Sequence, residues 1–404
     1  MKVIVLAGGS DQIALIKELK KNKTNVVLVD YYENPPAKDY VDKHIKESTL
    51  DVDEVIKIAI KENAQLVTTA CTDQALLSVA RVSEALSLPC YISYQTALNV
   101  TNKAYMKKIL SENQISTSKY KVVDNADTTQ FRDFSFPIVV KPADCNSSTG
   151  VTKVHNVFEL SIALTDALAF SRTKNAIIEE FKEGIEISAD FYIENNEVKL
   201  LSVTSSNKIE GTNNFTIIQS CFPAVDSEKE AMILQIGRQI AKAFGLNNTP
   251  LLVQLIEKDG YFNVLELSAR MGGGSKYKLI EVLSGVKIMK VYVDLIMGKI
   301  PNINPQKKVN FALMNYIYCY PGIFSNFKGL DELRQNKVID EYFLYKSKGM
   351  KILKSETSSD RIAGFLLTSK EKSLIIDKLH LCDQTIKILD ENGKDIMIHS
   401  LYPY

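Results

Sequence analysis

LLVQLIEKDGYFNVLELSARMGGG, residues 251–274, sets two apolar runs on either side of an Asp-Gly turn. The runs Leu251 to Ile256 and Tyr261 to Leu267 predict two strands of a hairpin closed by Asp259-Gly260. Gln254 lies within the first strand, and Glu266 sits between Leu265 and Leu267 in the second. A carboxylate in so apolar a strand needs a cation. If Gln254 and Glu266 face the same side, the hairpin presents two oxygen donors at its middle, the donor type that a hard divalent cation takes. Ser268, Arg270 and Gly272-Gly273-Gly274 follow, and an arginine beside three glycines reads as an anion clamp. The alternative is a buried ion pair followed by a flexible turn.

Working outward, the whole chain has the composition of an ordinary globular protein. It holds 404 residues, with 49 Lys+Arg against 48 Asp+Glu, a net charge of +1 and 45% hydrophobic residues. The length predicts two to three domains. So even a charge balance argues against a protein that coats duplex nucleic acid, while leaving room for small anionic ligands that need only a few local cations. The longest apolar runs, such as Val3 to Ala7, fall far short of the ~20 residues of a membrane helix. The apolar start after Lys2 is too short for a signal segment and reads as a first strand, so a cytoplasmic protein without membrane partners is expected. The six cysteines are scattered with no Cys-x-x-Cys pair, which predicts reduced thiols and no zinc site.

The first hundred residues alternate in type. Strands are predicted over Lys2 to Ala7, Asn25 to Asp30 and Gln65 to Ala70, and helices over Asp11 to Lys21, Val52 to Asn63 and Gln74 to Leu86. This alternation implies a parallel sheet with helices on both faces. Ligands on such sheets bind beyond the carboxyl ends of the strands, here Gly8-Gly9-Ser10, Asp30 and Cys71-Thr72-Asp73. A Gly-x-Gly-x-x-Gly fingerprint is missing, so Gly8-Gly9 is either a tight turn or a ligand-contacting loop. Thr72-Asp73 either meets a ligand or caps the next helix.

From about Asn99 the strands pair locally. Thr101 or Asn102 can cap a helix that begins with Lys103. Phe136 to Pro142 is an apolar strand carrying Lys141, followed by the small polar loop Asp144 to Gly150 and a return strand, Val151 to His155. Strands follow at Ala176 to Phe181 and Glu186 to Glu194, then a polar stretch, Ser205 to Asn214, expected to be mobile. Gly298 to Lys307 reads as a linker. Beyond it, strands at Asn310 to Cys319, Val338 to Leu344, Arg361 to Thr368 and Thr385 to Leu389, with two helical stretches between, predict a compact α+β tail. A site for ATP requires cations, backbone donors from a small-residue loop, and oxygen ligands for magnesium. Lys141, the loop Ser147-Ser148-Thr149-Gly150 and the hairpin supply each of these in turn. Taken singly, Lys141 reads more often as a solvated strand end than as a ligand, the loop as only a turn and Glu179-Glu180 as a solvated strand edge.

In their joint order, Lys103, Phe136 to Pro142, the loop to Gly150, Ile178-Glu179-Glu180-Phe181 with Gly184 and Glu186, Gln254, and Glu266-Leu-Ser-Ala-Arg270 resemble the ATP-grasp superfamily of carboxylate-amine ligases. The resemblance spans nearly the whole chain. It implies a mixed α/β and α+β fold, as in the biotin carboxylase, carbamoyl-phosphate synthetase and phosphoribosylglycinamide synthetase branch. A doubly wound pre-ATP-grasp domain would cover residues 1–98, an ATP-grasp domain 99–300 with a lid over about 120–190, and a small α+β domain 301–404.

The family's roles, carried onto this chain, put Lys103 and Lys141 on the ATP phosphates and Ser147, Ser148, Thr149 and Gly150 in the flexible loop over them. Glu179, Glu180, Phe181 and Lys182 would meet adenine, and Glu186 the ribose. Glu266 would bridge two magnesium ions with Gln254 on one of them, and Arg270 would steady an acyl phosphate, acting with Lys141 in catalysis. Gly8, Gly9, Thr72, Asp73, Arg270, Gly272 and Gly273 would contact the carboxylate and amine substrates, and family habit implies a homodimer. The family's usual Glu-x-Asn-x-Arg is here Glu-x-Ser-x-Arg, so Ser268 reaches a metal less far than Asn, with a water able to bridge. Ser-Ala-Arg-x-Gly-Gly looks closer to the dipeptide-forming amino-acid ligases. The implied activity is ATP-dependent joining of a small carboxylate to an amine. Set against it are a purine-pathway ligase of the same family, a non-catalytic ATP-binding protein on the same fold, and a Rossmann oxidoreductase, which would leave Lys141, Glu266 and Arg270 unexplained.

Overall fold

Val3 and Val5 point to one face of the strand Lys2–Leu6, Ile4 and Leu6 to the other, and all four side chains are fully buried. A strand apolar on both faces must be covered on both. In the computed structural model, which describes residues 1–131, 133–209 and 215–401, it is central in a four-stranded parallel sheet. The order across that sheet is Lys43–Lys46, Asn25–Asp30, Lys2–Leu6 and Leu66–Thr68. Helices Val52–Lys61 and Asp73–Leu86 cover one face. The other is covered by Ser10–Lys21 and by Ile288–Ile296, a helix from much later in the chain. Tyr292 on that helix donates to the Thr69 carbonyl at 2.7 Å, fastening the later segment to the sheet.

Two antiparallel sheets follow. Tyr120–Val123, Ala176–Glu180, Ile138–Pro142 and Thr152–Val154 form a small sheet, with the helix Val157–Phe170 packed on it. The large sheet has eight strands, in the order Tyr261–Ser268, Thr249–Lys258, Ile185–Glu194, Glu197–Lys208, Ile217–Phe222, Phe311–Ile317, Ala363–Ser369 and Glu341–Leu344. A third, three-stranded sheet of Lys351–Ile352, Gly322–Lys328 and Lys387–Asp390 lies in the tail. The mixed α/β and α+β architecture is therefore the one expected. No helix among the described residues is long and apolar enough to cross a membrane.

Several details differ from expectation, each for a physical reason. Ser205 to Lys208 are the end of a paired strand, with Ser205 opposite Cys221, because their backbone groups have a partner strand to bond; residues 210–214 of the polar stretch lie outside the described residues. The tail keeps only the three-stranded sheet to itself, since Phe311–Ile317 pairs with Ile217–Phe222 and carries two further tail strands into the large sheet. The linker Gly298 to Lys307 is irregular but anchored, with Ile303 buried and its amide donating to Glu194 Oε2 at 3.0 Å. Several elements were unannounced, among them the strands Lys43–Lys46, Tyr120–Val123, Ile217–Phe222 and Gly322–Lys328 and the helices Val157–Phe170, Ser227–Ala243, Ile288–Ile296 and Tyr94–Thr101, the last capped by Ser93, which accepts from the Thr96 amide at 3.1 Å. Of the two cap candidates before Lys103, it is Asn102 that accepts from the Ala104 amide, at 2.9 Å.

Gly8 owes its identity to crowding. Its amide donates to Asp30 Oδ2 at 2.6 Å, and a Cβ there would lie 2.5 Å from Pro35 Cβ. Gly8→Ala should therefore cost about 1–3 kcal/mol by overpacking, measured by urea unfolding, whereas Gly9→Ala, where a Cβ meets open space, should not.

Candidate active site

The hairpin register decides the geometry. Gln254 lies directly opposite Glu266, with an irregularity just after Gln254, and residues directly opposite in an antiparallel pair share a face. On the next strand over, Glu186 approaches Gln254, whose amide Nε2 lies 3.4 Å from Glu186 Oε1, and Glu186 also pairs with Lys208. Lys103, first residue of its helix, donates to the Cys145 carbonyl at 2.5 Å and stands 3.3 Å from Glu266 Oε2. The Glu266 side chain keeps 35% of its surface exposed, the least enclosed carboxylate in this group.

These residues line a cavity of about 710 Å³ between the small and large sheets, together with Lys141, Ser147, Ser148, Glu179, Glu180, Phe181 and Lys182. Lys141 projects from Ile138–Pro142, and its ammonium lies 2.5 Å from Glu179 Oε1. The other oxygen of Glu179 lies 2.8 Å from Lys107, a residue the sequence reading passed over. Burial works to raise the Glu179 pKa, but Lys107 and Lys141 outweigh it and hold the carboxyl down at about 2. Glu180 pairs with Lys182 at 2.6 Å, and Lys153 sits 3.7 Å above the Phe181 ring. In the loop, Ser147 and Ser148 both take left-handed backbone, at φ 55 and 62, and face the cavity. Thr149 and Gly150 do not line it. Gly150 instead meets Phe170 and Pro142, each 2.9 Å from where a Cβ would stand.

A second cavity, about 350 Å³, adjoins the first, and both are lined by Ser147, Ser148, Gln254 and Glu266. Gly9, Thr72, Asp73, Arg270, Gly272 and Gly273 line it, while Gly8 turns away toward Pro35. Asp73 does not cap its own helix. Its carboxylate accepts from Arg270 Nε at 2.8 Å and, in shorter contacts, from Arg270 Nη2 and the Ser268 hydroxyl. Burial pushes the Asp73 pKa up, and the Arg270 guanidinium more than reverses this, leaving it below the usual carboxylate range. Ser268 thus spends its proton on Asp73 and keeps only lone pairs for any metal.

Two further residues here carried no sequence signal beyond helix-end acidity or strand-start charge. Asp11, in the first turn of Ser10–Lys21, accepts from the amides of Gly274 at 3.0 Å and Ser275 at 2.9 Å, pinning the glycine turn to the first helix. Arg361 is buried, lies 3.7 Å over the Tyr316 ring, and donates to the Tyr318 hydroxyl at 3.2 Å. Among the described residues no carboxylate pairs with it. Nor is there, among the described residues, a group of three His, Cys, Asp or Glu able to hold a metal. Glu266 and Gln254 put two oxygen donors on one face of the hairpin, the donor type a hard divalent cation takes.

Residues 134–278 match the family model of the ATP-grasp domain. The chain carries an ATP-grasp domain. That match takes in the hairpin, Lys141, the serine loop and Arg270. The chain is 27% identical over 186 residues to a formate-dependent phosphoribosylglycinamide formyltransferase of Prochlorococcus marinus, covering 45% of this chain and 47% of that enzyme. It is 21% identical to an L-arginine-specific L-amino acid ligase of Bacillus subtilis, covering 72% of each. An L-amino acid ligase from Bacillus licheniformis shares the fold over 97% of this chain and 99% of its own, with a TM-score of 0.81 at 21% identity.

The Glu179 carboxyl binds fewer protons folded than unfolded between its ordinary 4.5 and about 2. Its contribution to stability is full above 4.5 and fades as pH falls toward 2. In urea unfolding, Glu179→Gln should be clearly weaker than wild type at neutral pH, with the gap narrowing as pH drops through that window.

Proposed function

We propose that the chain is an ATP-dependent ligase that activates a small carboxylate as an acyl phosphate and joins it to an amine, releasing ADP and phosphate. The observation that carries this reading is the meeting of a large and a small cavity at Glu266, Gln254 and the Ser147-Ser148 loop. A nucleotide in the larger cavity and a carboxylate in the smaller one face each other there. Glu180, Phe181 and Lys182 lie where adenine would pack, Glu186 where ribose hydroxyls would bond, and Lys141 and Lys103 where phosphates would be held. Glu266 and Gln254 would hold magnesium, with Ser268 reaching it only through water; bound there, the ion neutralises charge on the phosphates.

A carboxylate is a poor electrophile. Attack by its oxygen on the terminal phosphorus expels ADP and leaves an acyl phosphate; the amine nitrogen then attacks the acyl carbon, phosphate departs and the amine loses a proton. Arg270, held by Asp73 and by the Met271 carbonyl, keeps two of its five N–H donors for the acyl phosphate, and the serine loop keeps water from it. The likeness to L-amino acid ligases along most of both chains supports amino-acid substrates. The formyltransferase likeness supports a phosphorylated amine in the same cavity, where Arg361, lacking an acidic partner, is the cation it would use.

Thermal stabilisation by ATP that requires magnesium and is not reproduced by NAD tests the nucleotide site. Phosphate release from ATP, screened over pairs of amino acids and over purine precursors, tests the ligation. Glu266→Gln should abolish that release while the protein stays folded; a fully active variant would sink the assignment.

A further inference from the structure

Lys107 has no exposed surface and lines neither cavity, yet it carries a charge into the interior. Burying an ammonium is costly unless it is well paired, and a methionine would fill the same space without the cost. The lysine's partners explain its presence. Its ammonium lies 2.8 Å from Glu179 Oε2 and donates to Thr117 Oγ1 at 2.6 Å. Glu179 belongs to the small sheet, through the strand Ala176–Glu180. Thr117 donates to the Val264 carbonyl at 2.7 Å, in the strand that carries Glu266 two residues on. One buried ammonium therefore bonds the sheet that bears Lys141 to the sheet that bears Glu266.

The charges add up to something usable. Lys107 and Lys141 contribute two positive charges and Glu179 one negative, and all three are buried. Their sum is +1. Without Lys107, Lys141 and Glu179 would be a closed neutral pair with no charge left over for an anion in the cavity. Lys107 itself cannot touch a ligand there, so any effect it has must pass through Glu179 and Lys141.

We propose that Lys107 is a positioning residue for nucleotide phosphates: by neutralising Glu179 it leaves Lys141 free to spend its charge on the phosphate chain, and by bonding Thr117 it sets that ammonium in register with Glu266. This rests on the ATP reading above.

Dissociation constants for magnesium-ATP and for adenosine, measured by calorimetry, test it. Lys107→Met should weaken magnesium-ATP binding about 10- to 100-fold, the worth of a charge-assisted contact, and leave adenosine binding within about twofold. Glu179 keeps Lys141 as its partner, so the variant should stay folded, with a melting temperature lowered by the lost Glu179 and Thr117 contacts. Lys107→Arg should keep most of the ATP affinity. Lys107→Met with Glu179→Gln restores the net +1 and should recover part of it. Equal losses for ATP and adenosine, or no loss for either, would overturn the proposal. Should Lys107→Met fail to fold, the doubly substituted variant decides alone: ATP binding weaker than in Glu179→Gln by the same factor as adenosine binding would reduce Lys107 to a structural part. Wild-type protein that binds no magnesium-ATP would overturn the ATP reading itself, and this inference with it.

Discussion

One register in one hairpin, Gln254 opposite Glu266, is the constraint on which the site depends. Slipping it by a single residue would turn Glu266 to the other face of the sheet. Neither cavity would then have a carboxylate at the point where they meet. The apolar neighbours Leu255, Val264 and Leu267 are buried and hold the register, since a slip would expose them all. The core packing of the hairpin and the placement of its two oxygen-bearing side chains are thus one fact.

Around that point the chain spends its charges in pairs that cross from one segment to another. Asp73, at the end of the parallel sheet, grips Arg270 of the hairpin; Asp11 of the first helix holds the glycine turn; Lys103 stands against Glu266. Each links parts far apart in sequence, so the site and the packing of these segments are stabilised together. The buried pair of Asp73 and Arg270 is expensive to break, because the surviving partner is left without compensation. Arg361 and the surplus positive charge of the Lys107, Glu179 and Lys141 group are the exceptions, Arg361 and Lys141 lining the smaller and the larger cavity.

Much of this was legible in the sequence because strand periodicity and apolar neighbours constrain local structure. Both strands of the hairpin, Lys141 on its strand, the Asn102 cap and the alternation of the first hundred residues are local features. What could not be read was long-range. Lys107 looks like any helix lysine until Glu179 is seen beside it, and Asp11 like any first-turn acid until the glycine turn docks on it. Asp73 read equally as a cap or as a ligand contact, and the structure gives it a third task, holding Arg270. The polar edge strand Lys43–Lys46 carries no apolar pattern and exists because the neighbouring strand offers it backbone partners.

The central claim is that phosphate leaves ATP by way of the substrate's own carboxylate. Coupling run with a carboxylate labelled with oxygen-18 tests it most directly, with the released phosphate analysed by mass spectrometry. An acyl phosphate requires one labelled oxygen to pass from the carboxylate into phosphate at every turnover. Phosphate released without label, alongside coupled product, would contradict the account.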